Sequence, residues 1–437
     1  MAKVQFGPDS PPPSKDSLPA VIPISLISGI ILPGHPPSQL HDIHISPSAG
    51  LITHITPHSP VRTLSLPENT ITATQCLALP SLCHPHIHLD KAHLHSHPLY
   101  SSLRPQSGTF AEALSLTSRA KKLFTREDLL QRGEWLIAES IAAGVTHMRA
   151  FVEADAVAES KGLEAGLELK RRWKGRCELQ ICVFAQEVIF TGSEGEENRV
   201  LVERAVEEFA GKGVDVLGST PYVEGNEEMA RKNVEWVVRL AMMYHLHLDL
   251  HLDYNLDAGK EALVWWVLEV LRRENWAEKG HGKTVCLGHC TRLTLFEKGE
   301  WARLEREAGG LRISFVGLPT SDLYMMGRPR PEENWRDRGR GTLQVPWLIK
   351  EAGINAVIGV NNVGNAFTSW GSPDPMGLAS LGVGIYQAGT EDDSELLYAG
   401  DMVSCQQHHA NEIVGVHIDP GQRSNWFRQV VLEVGRG

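Results

Sequence analysis

The stretch HPHIHLD at residues 84–90 ends an apolar run and places His86 and His88 two residues apart. Successive side chains of a β-strand point to opposite faces, so residues i and i+2 share a face. The two imidazoles would therefore project from one side of a strand end, where they can ligate one divalent ion. The alternative is a polar loop with incidental histidines, because the chain contains 20 of them.

The sequence around this stretch predicts a barrel. From residue 77 onward, short runs that suit buried strands alternate with amphipathic segments that suit helices. Such alternation predicts a parallel sheet, and eight units predict a closed (β/α)8 TIM barrel of the α/β class. We expect strands at residues 77–90, 146–152, 178–184, 214–219, 245–253, 284–289, 312–316 and 354–360, and helices that include 126–143, 200–210, 227–244, 260–273 and 343–352.

The two ends of the chain predict a second, smaller unit. Between residues 22 and 74, short apolar runs are split by Gly, Pro, Ser and Asn, as in small β-strands. The predicted order is a flexible tail at 1–18, the first part of a small β-sandwich-like domain at 19–76, and the barrel at 77–394. Residues 395–437 would form a helix and then return to the small domain.

Composition and charge restrict the class of protein. The 437 residues include 42 Lys+Arg and 53 Asp+Glu, and the net charge of -11 argues against a nucleic-acid partner, which would need a basic face. None of the seven cysteines lies in a CxxC pair, so a disulfide framework or a zinc knuckle is not expected. The N-terminus does not resemble a secretory signal and no apolar stretch suits a bilayer, so we expect a cytoplasmic protein without a membrane partner. A homo-oligomer is compatible with the sequence.

The spacing of three more residues supports a metal site. His251 lies 163 residues after His88, and His289 follows after 38 more. Asn361 comes a further 72 residues on. These intervals approximate four, one and two barrel units of about 40 residues, which places the residues at the carboxyl ends of strands five, six and eight, where barrel active sites lie.

The fifth predicted strand carries an unusual pattern. In LHLDLHLD, residues 246–253, apolar and polar side chains alternate, so the polar set would face the barrel interior, an odd place for charge without a metal. His251 is the histidine nearer the barrel mouth. His247 would lie about 13 Å deeper by strand rise, which favours a hydrogen-bonded interior role.

These pieces together resemble the amidohydrolase superfamily, in particular its cytosine deaminase-like branch, which includes N-substituted ammelide hydrolases. The resemblance runs in order from about residue 26 to 390 and rests on LP at 79–80, HIHLDK at 86–91, VFAQE at 183–187, DLHLD at 249–253, GH at 288–289 and GVNNV at 359–363. It implies a metal-bearing (β/α)8 barrel with a small β-domain built from both chain ends.

The resemblance also implies roles for individual residues. His86, His88 and His251 would bind one Fe or Zn ion. His289 would hydrogen-bond the metal-bound water, and Gln186 would recognise the amide edge of a nitrogen heterocycle.

Three positions depart from the family pattern. Tyr254 stands where the family has the Glu that shuttles protons, Asn361 replaces the eighth-strand Asp that helps to deprotonate the metal water, and Asn365 replaces a further Asp. An Asn can ligate a metal weakly through its carbonyl oxygen, so Asn361 is still a candidate ligand, but it cannot accept a proton at neutral pH.

Other groups could take over the proton transfers. His289 is the best remaining base, because an imidazole titrates near neutrality. Asp253 and Asp90 are nearby carboxylates, and the alternative for both is to orient metal ligands. Tyr254 could donate a hydrogen bond to a leaving group or simply pack in the pocket.

The sequence therefore predicts a metal-dependent hydrolase that acts on a C–N bond of a small cyclic amide, amidine or amino-substituted N-heterocycle, with metal-activated water as the nucleophile. Gln186 and the loop at residues 327–341 would bind the substrate, while His289, Asp253 and Tyr254 are the catalytic candidates. A weakened relative that only binds a ligand, or a lyase or isomerase on the same scaffold, are the alternatives. No nucleotide-binding loop or GxSxG motif supports another chemistry.

Overall fold

The computed structural model describes residues 23–32, 34–59, 66–74, 76–327, 339–394 and 396–397. The chain divides into two compact units between Leu82 and Cys83. The predicted tail at 1–18, nearly all of the predicted segment 395–437 and most of the loop at 327–341 lie outside the described residues. The return of the C-terminal segment to the small domain therefore stays a prediction.

The small unit contains a four-stranded sheet with the strand order β3-β2-β1-β4. Its strands are β1 (Leu26–Ile31), β2 (Leu40–Ile45), β3 (Ile52–Pro57) and β4 (Thr70–Thr72). Strand β1 pairs antiparallel with β2 and parallel with β4. Buried apolar side chains on this sheet form its core: Ile30, Leu32, Ile43, Ile45 and Ala73. This sheet is the described part of the predicted β-domain.

The larger unit is the predicted (β/α)8 barrel, which the structure confirms. Its parallel strands follow one another in chain order: β5 (Leu82–His88), β6 (Val145–Glu153), β7 (Glu178–Ala185), β8 (Val214–Ser219), β9 (His247–Leu252), β10 (Val285–His289), β11 (Ile313–Gly317) and β12 (Ala356–Ile358). The barrel is nearly closed, because a parallel bridge joins Ile87 to Asn361 and the His88 amide donates to the Asn361 carbonyl at 2.8 Å. The first barrel strand is shorter than the predicted 77–90.

Helices lie between and after these strands. They are α1 (Phe110–Lys121), α2 (Arg126–Ala142), α3 (Lys161–Trp173), α4 (Gly192–Phe209), α5 (Glu227–Met243), α6 (Val264–Arg273), α7 (Trp276–Lys279), α8 (Lys298–Ala308), α9 (Pro319–Met325), α10 (Val345–Lys350) and α11 (Pro375–Ile385). None of the helices in the described ranges is both long and apolar enough to cross a membrane.

Helix α5 shows how local sequence sets these boundaries. The Asn226 side chain accepts a hydrogen bond from the Met229 amide, which satisfies one of the free N–H groups at the helix start. Val234, Val237 and Val238 recur at helical spacing and are fully buried. Capping therefore begins the helix at Glu227, and the apolar face packs it onto the barrel.

Gly218 in β8 gives a test of barrel packing. A Cβ added there would lie 2.7 Å from the Asp249 carbonyl oxygen and 2.8 Å from the Phe184 ring. Because a strand carbonyl cannot move freely, Gly218→Ala should lower the free energy of unfolding by about 1–3 kcal/mol in urea denaturation. Gly299→Ala in helix α8 is the control, since nothing lies within 4 Å, and it should stabilise by up to about 1 kcal/mol. Equal effects of the two substitutions would contradict this account.

Candidate active site

Three histidines from two strands meet at the carboxyl end of the barrel. His86 and His88 lie on β5 and His251 lies on β9, and all three are buried. One ring nitrogen from each lies within 4.8 Å of the others. The structure thus brings together the three histidines that the sequence nominated as metal ligands, in a cluster able to bind a metal ion.

One ring nitrogen of each of these histidines lacks a hydrogen-bond partner among the described residues, which suits the binding of a divalent ion. His86 Nε2, His88 Nδ1 and His251 Nε2 are buried without a hydrogen-bond partner, as is Asn361 Oδ1. Buried polar atoms are normally satisfied, so a group of four at one point indicates an absent partner. Burial lowers the pKa of each of the three imidazoles well below its usual value. Neutral imidazole is the form that binds metal.

The chain turns sharply where three of the strands end. Asp253, His289 and Asn361 have φ angles of 50°, 65° and 67°, in the left-handed region. Asp, His and Asn are the non-glycine residues that occur there most readily, and such conformations cluster at functional sites. The sharp turn thus occurs at three of the strand-end positions that the sequence singled out.

His289 has a carboxylate partner that sequence reasoning missed. Its Nδ1 lies 2.7 Å from Asp322 Oδ1, on helix α9. Thr342 Oγ1 donates to the other carboxylate oxygen at 2.7 Å, and Asp322 is fully buried. An ionised carboxylate only accepts hydrogen bonds, so this contact places the proton of neutral His289 on Nδ1 and leaves Nε2 as a lone pair.

Tyr254 packs against this histidine. Their ring centroids are 4.2 Å apart, and the Tyr254 hydroxyl donates to the Ser321 carbonyl at 3.4 Å. Burial raises the pKa of the Tyr254 phenol well above its usual value, so the group stays protonated. Phe110 lies 6.0 Å from the Tyr254 ring and 5.9 Å from the Phe367 ring, measured between centroids. Aromatic rings thus form part of the pocket wall.

Gln186 is held by a buried lysine. Lys91 Nζ donates to Gln186 Oε1 at 3.3 Å and to Glu153 Oε1 at 2.5 Å. Lys121 also contacts Glu153, and it donates to Asp155 at 2.7 Å. Ammonium groups therefore balance the charges of Glu153 and Asp155 in this part of the barrel.

The two candidate aspartates have structural contacts. Both carboxylate oxygens of Asp253 accept from backbone amides at the start of α6, those of Leu263 at 2.7 Å and Val264 at 3.0 Å. Asp90 accepts from the Glu153 amide at 2.7 Å, and burial together with the Glu153 charge raises the pKa of Asp90 to about 6. The structure gives Asp253 a helix-capping contact, and it is not one of the pocket-lining residues.

The charge inside the fifth strand has a compensating group other than a metal. Arg149 Nη1 donates to Asp249 Oδ2 at 2.7 Å, and both side chains are buried. The sequence argument that interior charge needs a metal was therefore wrong for Asp249, because an arginine 100 residues away neutralises it. His247 hydrogen-bonds Thr284 at 2.8 Å and lies outside the histidine cluster.

Several of these groups border one pocket with about 290 Å³ of empty space. Its described lining includes two of the clustered histidines, the His289 ring, the aromatic wall and four polar residues: His88, His251, His289, Phe110, Tyr222, Tyr254, Phe367, Lys91, Gln186, Asn361 and Asn362, with Ser321 and Met325. The pocket thus joins part of the histidine cluster to a wall of aromatic side chains.

No protein-family model matches the chain, and no curated protein matches it by sequence. Solved structures match most of its length. 5-Methylcytosine deaminase from Klebsiella pneumoniae liganded with phosphonocytosine superposes with a TM-score of 0.70 at 25% identity, over 86% of this chain and 87% of that one. N-isopropylammelide isopropylaminohydrolase from Burkholderia multivorans ATCC 17616 gives 0.66 at 21% identity, over 89% and 87%.

A more distant structure has the same fold. Guanine deaminase from C. acetobutylicum with bound guanine in the active site has a TM-score of 0.56 at 15% identity, over 87% of this chain and 86% of that one. This chain therefore has the fold of the amidohydrolase superfamily and is cytosine deaminase-like within it.

Proposed function

We propose that this protein is a metal-dependent hydrolase that attacks a C–N bond of a small cyclic amide, amidine or amino-substituted N-heterocycle, with one Zn or Fe ion as cofactor. The observation that carries the proposal is the cluster of three neutral histidines with unpartnered nitrogens, at the pocket that also contains His289. The similarity to 5-methylcytosine deaminase supports the same class of reaction.

His86, His88 and His251 would hold the ion, with Asn361 Oδ1 as a weaker fourth ligand. An ion bound there supplies Lewis-acid polarisation of the substrate and an acidified water. The side chains around the pocket would then have to orient the substrate ring and carry protons between the water and the leaving nitrogen.

The His289–Asp322 pair would perform the proton transfers. Nε2 of His289 would take the proton from the attacking water and return it to the leaving nitrogen. Asp322 would hold the ring in the required tautomer through Nδ1 and stabilise the imidazolium that forms, without itself accepting the proton. This pair would supply what Tyr254 and Asn361 cannot, since neither is a base at neutral pH.

The remaining pocket groups would bind and shield the substrate. Phe110 and Phe367 would flank a planar ring. Gln186 would hydrogen-bond one edge of that ring. Tyr254, fixed by Ser321 and packed on His289, would exclude water from the base.

The second candidate function is ligand binding without turnover, or a lyase or isomerase reaction. Tyr254 and Asn361 favour it, because a neutral group stands at each position where the family has a catalytic carboxylate. The two candidates predict different results when the carboxylates are restored.

We expect native protein, loaded with Zn or Fe, to release ammonia or an amine from at least one member of a panel of pyrimidines, triazines and cyclic amides. The double substitution Tyr254→Glu and Asn361→Asp should lower that turnover by about tenfold or more, because it adds charge to a neutral pocket. Product formation and metal content are measured for both proteins. Deamination that appears only in the double variant would identify the native chain as a weakened relative, and turnover by neither would favour the binding function.

A further inference from the structure

Helix α9 turns one face toward the pocket. Ser321 and Met325 lie one helical turn apart, so their side chains share a face, and both residues line the pocket. Asp322, the residue after Ser321, contacts the His289 ring. The Tyr254 hydroxyl donates to the Ser321 carbonyl, and the Tyr254 ring packs on His289. Ser321 therefore borders the same side of the pocket as His289.

The Ser321 hydroxyl is unpaired, unlike three threonine hydroxyls that also follow barrel strands. Thr220, Thr291 and Thr320 come after β8, β10 and β11, and each donates through Oγ1 to a backbone carbonyl at 2.8–3.3 Å. Ser321 Oγ is buried, and the described part of the chain offers it no hydrogen-bond partner. Buried polar groups are normally paired, so an unpaired one on a pocket-facing helix side indicates a contact with a ligand.

A hydroxyl group suits a ring substituent that changes during hydrolysis. When water attacks the ring carbon of an amino-substituted heterocycle, the bond to the amino nitrogen breaks, ammonia leaves and a carbonyl oxygen takes its place. The amino group donates hydrogen bonds, whereas the carbonyl oxygen accepts them. The Ser321 O–H can rotate, so it can accept from the first group and donate to the second. A backbone carbonyl or an ammonium group could pair with only one of them.

We propose that Ser321 contacts the substrate and determines specificity: its hydroxyl hydrogen-bonds the exchanging substituent, as an amino group in the substrate and as a carbonyl oxygen in the product. The position of Ser321 supports this role, because His289 on the same side would return the proton to the leaving nitrogen. This inference rests on the proposed function of the site, which it makes specific.

Two rings that differ at this substituent test the proposal. Cytosine carries an amino group where uracil carries a carbonyl oxygen. Metal-loaded Ser321→Ala should bind each ring about three- to tenfold more weakly than native protein, which is the usual worth of one neutral hydrogen bond. Calorimetric titration measures both affinities, and KM replaces it for cytosine if that ring is hydrolysed. Metal content should match that of native protein, because Ser321 is not in the histidine cluster.

The stability of the ligand-free protein separates a binding role from a structural one. Ser321→Ala removes an unpaired buried group, so the melting temperature should stay the same or rise by up to about 2 °C. Ser140→Ala on helix α2 is the matched control, because Ser140 Oγ donates to the Leu136 carbonyl at 2.7 Å and contacts His84 Nε2 at 3.1 Å. This control should lower the melting temperature by about 2 °C or more and change both ring affinities less than about twofold.

A second variant separates the hydrogen bond from the volume of the side chain. Ser321→Cys fills the same site with a thiol, which is a weak donor and a weak acceptor, so it should bind both rings about as weakly as Ser321→Ala. Native-like affinity in either variant would overturn the inference. A lower melting temperature of ligand-free Ser321→Ala, or native protein that binds neither ring, would overturn it as well.

These measurements are distinct from the test of the proposed function. A protein that binds both rings through Ser321 but hydrolyses nothing in the panel would retain this contact and lose the hydrolase function. A protein that hydrolyses a ring equally well with and without the Ser321 hydroxyl would retain the function and lose this inference.

Discussion

A variant in which both His86 and His88 are replaced by alanine should contain almost no metal, whereas native protein grown with Zn and Fe should hold about one ion per chain. The two rings supply two of the three clustered nitrogens, so the remaining His251 cannot hold the ion alone. Turnover of any substrate should fall by about 10³-fold or more, since the ion supplies several kcal/mol of transition-state stabilisation. Elemental analysis of purified protein measures the metal.

The barrel should remain folded in this double variant, because the histidines lie at a strand end. Circular dichroism reports the fold. Added Zn should raise the melting temperature of native protein and leave that of the double variant unchanged. His84→Ala is the matched control: His84 is buried on the same strand but hydrogen-bonds Ser140 and is not in the cluster. It should keep its metal. A native protein without metal, or a double variant that keeps it, would contradict the site.

The sequence predicted the barrel well because its signals are local. The strands at 178–184 and 214–219 match β7 and β8 almost residue for residue, since buried β-branched runs stand between helical patterns. The histidine cluster could be predicted for a related reason. Spacing by whole barrel units brings strand ends to one face, so His88 and His251 could be placed together although 163 residues separate them.

Pairings between distant residues could not be predicted in this way. Asp322 is one of 53 acidic residues, and no spacing rule marks it as the partner of His289. The same holds for Arg149 and Asp249, whose ion pair neutralises an interior charge that the sequence argument assigned to a metal. Side-chain orientation decides these contacts, and alternating hydrophobicity carries no information about which polar groups will meet.

Asp253 has contacts that its position after the fifth strand does not reveal. It follows the fifth strand, as a catalytic carboxylate would, but its φ of 50° turns the chain and its oxygens cap helix α6. Asp322 lies within a short helix after the seventh strand, and its carboxylate contacts the His289 ring directly. The Asp322 carboxylate thus contacts His289, whereas the Asp253 carboxylate binds the start of α6.

We expect Asp322→Asn to lower kcat by about 10²–10⁴-fold, the usual contribution of an oriented acid–base group. The substitution keeps the shape of the side chain, but an amide can donate to His289 Nδ1 and thereby place the imidazole proton on Nε2, where it blocks the base. KM and metal content should change little, because Asp322 contacts neither the pocket nor the clustered histidines. Steady-state kinetics and elemental analysis of the same preparation measure these quantities.

Asp253→Asn is the contrasting variant, since it replaces a buried carboxylate at a neighbouring strand end. Loss of charge at a helix cap should lower the free energy of unfolding by about 0.5–2 kcal/mol and leave kcat within a few-fold of native. If Asp253→Asn instead abolished turnover while Asp322→Asn did not, the proton would pass through Asp253, as its position after the fifth strand suggests. If Asp322 positions His289, Asp322→Asn should lower kcat and leave KM, metal content and melting temperature unchanged. A substitution that simply destabilised the protein would change all four of these quantities.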